Sequence, residues 1–477
     1  MNALDARQNA EHCELVENRT FDEIRIGESA SVTRQVTRRD VDLLAIVSGD
    51  VNPLHFDEEF ARHTPVHKVV AHGLFGDALI SAVISSKLPG PGAVLLGMKQ
   101  NYLLPVGIGD TLTATVTVTA KRDEKGDVTL DCACFNQAGL LAISGQAEVR
   151  APREKISVPL PDLPGVQVAN HVRFHQLMAQ ARNAVPLSLA VAHPCDGPSL
   201  IGAVEAAQAG LISPILVGPQ AKIRAVAKEA GIDIDAYRIA DAPHSAAAAA
   251  LAVELVRRGE ADALMKGSLH SDELLHAVLD KTAGLRTGRR LSHVFVMDAP
   301  SYPRPLLITD AAVNIAPDLD TKKDIIQNAI ELAHALGTPL PRVAILAAVE
   351  MVNPNMPSTL DAAALCKMAD RGQITGGLVD GPLAFDNAVS MAAAKEKGIV
   401  SPVAGQADIL VAPDLESGNM LAKQLSFLAG ADAAGVVLGA RAPIILTSRA
   451  DSVRTRLASC AIACILARAK AKGPAAL

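Results

Sequence analysis

Residues 72 to 88 read HGLFGDALISAVISSKL, and this stretch decides the fold of the first third of the chain. Its apolar residues recur at helical spacing, and its Gly, Ala and Ser positions let a helix lie close against a neighbour. Three later stretches have the other periodicity. TLTATVTVTAKRD (111–123), GDVTLDCACFNQAG (126–139) and LLAISGQAEVR (140–150) alternate apolar with polar residues and are separated by Gly-containing turns, as antiparallel strands are. One long helix on the face of an antiparallel sheet, an α+β domain over residues 1–150, is the expectation.

Working outward, RAPREKISVPLPDLPGV (150–166) carries prolines at 152, 159, 161 and 164. Proline removes an N–H and fixes φ, so neither a helix nor a central strand runs through it. We read residues 151–165 as a linker and residues 166–477 as a second domain. There the pattern becomes strand, turn, helix: LSLAVAH, PILVG, ADALMKG, HVFVMD, PLLITD, VAILAAVE, GGLVDG, ADILVAPD and PIILTS, with amphipathic stretches such as TKKDIIQNAIELAHALG between them. Continuous apolar strands alternating with helices imply a parallel sheet covered on both faces. Lys266-Gly267, Asp310, Glu350, Asp380-Gly381, Asp414 and Ser448-Arg449 fall at or beyond the strand ends, the edge where open parallel sheets bind ligands.

At 477 residues the chain exceeds a single core, since domains run to about 100–200 residues. A formal net charge of −6 argues against a binder of phosphate backbones, and 3% aromatics with no Trp leave few base-stacking platforms. Nucleic acid is therefore not expected as a partner. No apolar run reaches the ~18 residues of a membrane span, and MNALDARQNAEHCELVENRT has no apolar core for a secretory signal. A cytoplasmic protein is expected. Seven cysteines without a CxxC spacing suit neither a disulfide framework nor zinc, so reduced, buried thiols are the reading.

The first chemical constellation is SGDVNPLHFDEEFA (48–61). An Asn52-Pro53 turn can fold Asp50 and His55 toward one another across a gap that holds one water, imidazole as base and carboxyl group as orienter. An Asp-capped turn beside a satisfied histidine would give the same residues, so they do not decide alone. Downstream, Gly73 opens the long helix, where unpaired N–H groups and the helix dipole favour a developing negative charge. Lacking a Cβ, it admits a carbonyl closely. His55, Asp57, His63, His67 and His72 crowd together, but Pro65 interrupts the one pair with a four-residue spacing; no metal site is expected.

SGDVNPLHFDEEFA followed by VVAHGLFGDALIS resembles the motif of MaoC-like, (R)-specific enoyl-CoA hydratases, over nearly all of residues 15–150. The resemblance implies the hot-dog fold, a sheet wrapping one long helix, and hydration of a trans-2-enoyl-CoA. It implies that Asp50 and His55 activate the water while the Gly73 amide polarises the thioester carbonyl. A domain that only binds acyl-CoA or drives oligomerisation is the alternative; the intact Asp50 and His55 speak against it.

The second constellation is spread over ALMKGSL (263–269), LITDAAVNIAPD (307–318), LVAPDLESGNMLAKQL (410–425) and IILTSRADSVRTRLAS (444–459). A buried strand delivers Ser448, Arg449 and Asp451 to the last helix, where a guanidinium fork and helix N–H groups suit phosphate oxygens. A helix cap beside a surface Arg is the ordinary reading of the same residues. These stretches, with AAVEMVNPNMPSTLDA, GGLVDGPLAFDNAVS and LTSRADS, resemble the phosphate acetyltransferase and phosphate butyryltransferase family from about residue 166 to 477.

That resemblance implies the two-lobed α/β fold shared with isocitrate and isopropylmalate dehydrogenases, one lobe from 166–308 and 436–477, the other from 309–435. It implies acyl transfer between CoA and phosphate, with coenzyme A thioesters and phosphate as substrates and no tightly bound cofactor. Ser448 and Arg449 would meet phosphoryl or CoA groups, Asp451 would assist the thiol, and Lys266, Gly267, Asp310, Asn314 and Asn419 would line the cleft; Arg286, in GLRTGRR, is either a phosphate ligand or part of a solvated charge run. A metal- and NAD-dependent decarboxylating oxidoreductase is the related-fold alternative, but its Arg-rich pocket and clustered Asp ligands cannot be assembled from these residues. Both families imply a homo-oligomer built from dimers.

Overall fold

The computed structural model describes residues 15–166, 168, 172–182, 185–446 and 451–471. The chain forms two compact units, Met1–Val168 and Ala169–Leu477.

The first unit runs β1 (Leu15–Glu17), β2 (Ser29–Gln35), α1 (Arg38–Ser48), α2 (Glu58–Arg62), α3 (Leu74–Ser86), β3 (Val94–Tyr102), β4 (Thr111–Arg122), β5 (Asp127–Phe135), β6 (Leu141–Arg150) and β7 (Ser157–Pro159). A five-stranded sheet of order β2-β4-β5-β6-β3 is antiparallel throughout. The alternation in β4 buries Leu112, Ala114, Val116 and Val118, and this face meets Phe75, Leu79, Ile80, Val83 and Ile84 of α3 in one core. Each large apolar side chain so buried stabilises the fold by about 1.5–3 kcal/mol. Gly76 makes the approach close: a Cβ there would sit 2.1 Å from Ile143 Cδ1.

The Pro-rich segment is not a free linker along its length. β7 pairs antiparallel with β1, and the buried Asn18 side chain accepts the Ile156 N–H at 2.9 Å and donates to the Glu154 carbonyl at 2.8 Å. Proline is tolerated there because a two-stranded ribbon has outer edges that need no ladder donor.

In the second unit the strands are β8 (Leu187–Ala192), β9 (Ile212–Gly218), β10 (Arg238–Asp241), β11 (Ala263–Lys266), β12 (Ser292–Asp298), β13 (Leu306–Thr309), β14 (Arg342–Leu346), β15 (Leu378–Leu383), β16 (Ile409–Val411), β17 (Asp432–Leu438) and β18 (Ile444–Ile445). They form one sheet of order β10-β9-β8-β11-β18-β17-β12-β13-β16-β14-β15. Helices cover both faces. Leu189 and Val191 of β8 enter one apolar cluster while Ala190 and Ala192 enter another, and Val343 and Ile345 of β14 part from Ala344 and Leu346 in the same way. The last helix, Val453–Ala471, contributes Cys460 and Cys464 to one cluster and Ile462 and Leu466 to the next, tying the two halves of the sheet together.

The sheet departs from the all-parallel expectation. β12 is antiparallel to both β13 and β17, and β17 is antiparallel to β18, so the two parallel halves run in opposite directions. Lys266, the last residue of β11, and Asp310, the first after β13, therefore sit at opposite edges of the sheet. The expected lobe boundaries at 308/309 and 435/436 fall inside β13 and β17.

Candidate active site

Gly49 closes α1 in the left-handed conformation (φ 74°), and the chain emerges through Asp50 to Asn52. The Asn52 side chain accepts the Leu54 N–H at 3.0 Å and starts a single 3-10 turn, Pro53–His55. Asp50 Oδ1 accepts the Asn52 N–H at 3.2 Å, which leaves Oδ2 for other work. His55 is buried, and its Nδ1 lies 2.8 Å from the Val70 carbonyl. A carbonyl only accepts, so Nδ1 carries the proton and Nε2 keeps its lone pair. That Nε2 stands 3.7 Å from Asp50 Oδ2, too far for a direct hydrogen bond and suited to a shared water.

Gly73 is the N-cap of α3, and among the described residues no acceptor takes its N–H. A Cβ there would come within 2.9 Å of the Tyr102 ring. The Tyr102 hydroxyl donates to Asp77 Oδ2 at 2.6 Å, and this bond pushes the phenol up to about 12. A pocket of about 500 Å³ opens here, with His55, His72 and Gly73 on one side and Leu103, Leu104, Val106 and Ile143 among its apolar walls.

The sequence marks His72 as the residue before the helix start and as one of a crowd of His and Asp residues, with no role in the chemistry assigned to it. In the fold its ring stacks on His55 with centroids 3.9 Å apart, and its Nε2 lies 3.1 Å from the Asp50 carbonyl oxygen. Asp50, His55 and His72 bring potential ligand atoms within 4.8 Å of one another. With Nε2 giving its proton to the Asp50 carbonyl, His72 keeps a lone pair only at the buried Nδ1.

In the second unit, Lys266, Gly267 and Ser268 meet the end of β8. Gly267 is required by a close approach, since a Cβ there would lie 2.4 Å from the Ala192 carbonyl oxygen and 2.6 Å from that of His193. Ser268 Oγ donates to the His193 carbonyl at 3.0 Å and accepts the Cys195 N–H at 3.2 Å. Burial lowers the His193 imidazole below its usual range. Leu269 belongs to one apolar cluster, and Val313 and Leu446 pack against it.

Asp310 has a different employment from the one expected. Buried at 2% exposure, its Oδ1 accepts the N–H groups of His293, Ala312 and Val313, and its Oδ2 accepts the N–H and Nδ2 of Asn314. With both oxygens so occupied, it organises the turn after β13 and has little left for a ligand. Asn314 Nδ2 also donates to the Leu291 carbonyl at 2.7 Å, and Asn419 Nδ2 donates to Ala311 at 2.9 Å, which pins helix Leu415–Leu428 to the same turn. Arg286 is exposed and bridges through its backbone to Ala440, at the entry to β18 and apart from this turn. Ser448 and Arg449 lie outside the described residues; Asp451 is partly buried, and its carbonyl accepts from Arg456 Nη1 at 2.6 Å.

Residues 242–464 match the family model "Phosphate acetyl/butaryl transferase". A phosphate acetyltransferase of Rhizobium meliloti is 64% identical over 295 residues, 62% of this chain and 93% of that protein. The chain belongs to the phosphate acetyl/butyryltransferase family. A branched-chain phosphotransacylase from Enterococcus faecalis has the same architecture, at 31% identity and a TM-score of 0.53, covering 59% of this chain and 99% of that one. Ahead of this transacylase domain, residues 24–131 match the model "MaoC like domain". An (R)-hydratase from Pseudomonas aeruginosa is 39% identical, with a TM-score of 0.32, covering 33% of this chain and 100% of that one. This member of the transacylase family carries a MaoC-like domain ahead of its transacylase domain, in which one antiparallel sheet packs on one long helix.

Proposed function

We propose that the chain is a bifunctional CoA-thioester enzyme. Its first unit hydrates trans-2-enoyl-CoA to (R)-3-hydroxyacyl-CoA, and its second exchanges acyl groups between CoA and phosphate. The observation that carries the first half is the 3.7 Å gap between His55 Nε2 and Asp50 Oδ2 beside the Gly73 helix start. His55 Nε2 takes a proton from the water held between them, and the hydroxide so formed adds to C3 of the enoyl group. The Asp50 carboxyl group orients that water and takes part in delivering the proton that C2 gains. The Gly73 N–H, at the positive end of α3, stabilises the enolate oxygen formed in between. The apolar pocket wall beyond takes the acyl chain.

In the second unit, the CoA sulfur attacks the carbonyl carbon of an acyl phosphate, the C–S bond forms and phosphate leaves; the reverse reaction makes acyl phosphate from acyl-CoA. A thiol with a pKa near ~8.5 is mostly protonated at neutral pH, so a nearby carboxylate assists, and we assign this to Asp451. Ser448, Arg449 and Lys266 bind the phosphoryl or CoA oxygens. The opposed parallel halves of the sheet support reading this unit as the two-lobed type of the isocitrate and isopropylmalate dehydrogenases. Neither step calls for a tightly bound cofactor. β3 is an edge strand bearing exposed Val94, Leu95 and Leu96, which supports a homo-oligomer. A cytoplasmic location suits the six described cysteines, all free thiols. Among the described residues no helix is long and apolar enough to cross a membrane.

The test is direct. His55→Gln should lower crotonyl-CoA hydration by at least 100-fold, on the order expected for loss of a general base, while acetyl- or butyryl-phosphate formation continues. Ser448→Ala should do the reverse. Unchanged hydration in the first variant, or unchanged phosphate-dependent CoA release in the second, would refute the corresponding half.

A further inference from the structure

Asp50 stands in an exposed stretch between the end of α1 and the Asn52 turn, with its side chain 47% exposed, yet the proposed chemistry needs its carboxylate at a fixed place. Its local anchors are weak. Its N–H reaches Ser48 Oγ at 3.2 Å, and Oδ1 accepts the Asn52 N–H at 3.2 Å; both partners belong to the same exposed stretch. The contact that ties Asp50 to the interior comes from His72. That side chain is 2% exposed, and its Nε2 lies 3.1 Å from the Asp50 carbonyl oxygen and 3.9 Å from Oδ2.

The carbonyl oxygen can only accept, so His72 is the Nε2–H tautomer, and its Nδ1 is buried with no partner among the described residues. A buried polar atom left unpaired is costly, so the ring is held in this orientation by what its other edge and its faces do. One face stacks on His55 at 3.9 Å between centroids. The next residue along the chain is Gly73. His72 therefore touches or adjoins all three working parts: the acid, the base and the oxyanion donor. His55 has its own anchor in the Val70 carbonyl, whereas Asp50 depends on His72.

We infer that His72 is a positioning residue for hydration, acting through the Asp50 main chain to fix the distance between the carboxylate and His55 Nε2. The inference rests on the hydratase reading of this unit. Because a displacement of about 1 Å can cost 100-fold in rate, losing the His72 donor should act on kcat more than on KM.

Two amide substitutions test this. In His72→Gln the side-chain amide nitrogen reaches the place of Nε2, while in His72→Asn it reaches only that of Nδ1. Both variants are compared with the full-length wild type, at equal folded fraction by circular dichroism, using crotonyl-CoA. We expect His72→Gln to keep kcat within about fivefold and His72→Asn to lose at least tenfold more, with KM within about threefold in both, sizes set by the cost of misplacement. Equal rates in the two variants, whether both full or both lost, would overturn the inference. Nitrogen-15 spectra of labelled histidines separate this from failure of the hydratase reading. A wild type that does not hydrate crotonyl-CoA but shows His72 as the Nε2–H tautomer and His55 as the Nδ1–H tautomer would sink the reading and leave the positioning geometry standing. The opposite tautomer at His72 would end the inference whatever the activity.

Discussion

Gly73 and Gly76 sit one helical turn apart at the start of α3, and a methyl group added at each would meet a different kind of neighbour. At Gly76 it would collide with Ile143 Cδ1, the tip of a buried side chain packed against the helix, at 2.1 Å. Overpacking of this kind costs about 1–3 kcal/mol, so Gly76→Ala should lower the unfolding temperature of the first unit by several degrees in calorimetry. At Gly73 the neighbour is the edge of the Tyr102 ring at 2.9 Å, on a residue 54% exposed, where a small tilt of the ring suffices. Gly73→Ala should therefore leave the melting temperature within about 2 °C, as expected of a change costing under ~1 kcal/mol, yet lower hydration by tenfold or more because the methyl group occupies the thioester's approach. A large loss of stability with full hydration in Gly73→Ala would contradict that division. The same scale shows what sequence can carry. Asp50, His55 and Gly73 are legible because a turn and a helix start are local features. The employment of His72 and Asp310 is not, because their partners are main-chain groups that carry no signature of their own.

Among the elements, β12 and β13 hold the clearest lesson. Apolar runs identify both as strands, but a parallel reading gives β12 the wrong direction, since it is antiparallel to both neighbours while β13 stays parallel to β16. The signal lies in the connection: APSYPRP (299–305) is too short for a parallel crossover, which takes about a dozen residues or more. β17, at the centre of the sheet, escapes notice because DAAGVVL (432–438) opens on small residues that do not read as an apolar run. Where β12 begins, His293 is buried between Asp310 and Phe295, 4.4 Å from the Phe ring centroid, and burial lowers its pKa from 6.5 to about 4. The folded state then binds fewer protons than the unfolded state between those values. Stability is full above about 6.5 and falls as the pH drops toward the folded value, by up to about 3 kcal/mol. The melting temperature of the second unit should fall from pH 7 to pH 5 in the wild type, and less steeply in His293→Gln. Parallel pH profiles of the two proteins would show that His293 is not the group responsible.

For the whole molecule, one chain joins two chemistries that share a handle, the CoA thioester. The MaoC-like domain and the transacylase domain fold as separate compact units, and we assign each its own acid, base or anion-binding residues. Neither site should borrow a side chain from the other. Composition sets the class at this scale: a net charge of −6 and few aromatics point away from nucleic acid, and the motifs of both domains do the rest. How the pocket beside His55 and Gly73 is shaped is not legible, since its walls come from α3, β6 and the segment after β3, brought together only by folding. The most direct measurement is a crossed assay on the full-length protein. Crotonyl-CoA hydration and phosphate-dependent release of CoA from acetyl- and butyryl-CoA are measured in the wild type, Asp50→Asn and Arg449→Ala. Both activities are expected in the wild type, loss of hydration alone in Asp50→Asn, and loss of acyl transfer alone in Arg449→Ala. A wild type lacking either activity, or a single substitution that abolishes both, would contradict the bifunctional assignment.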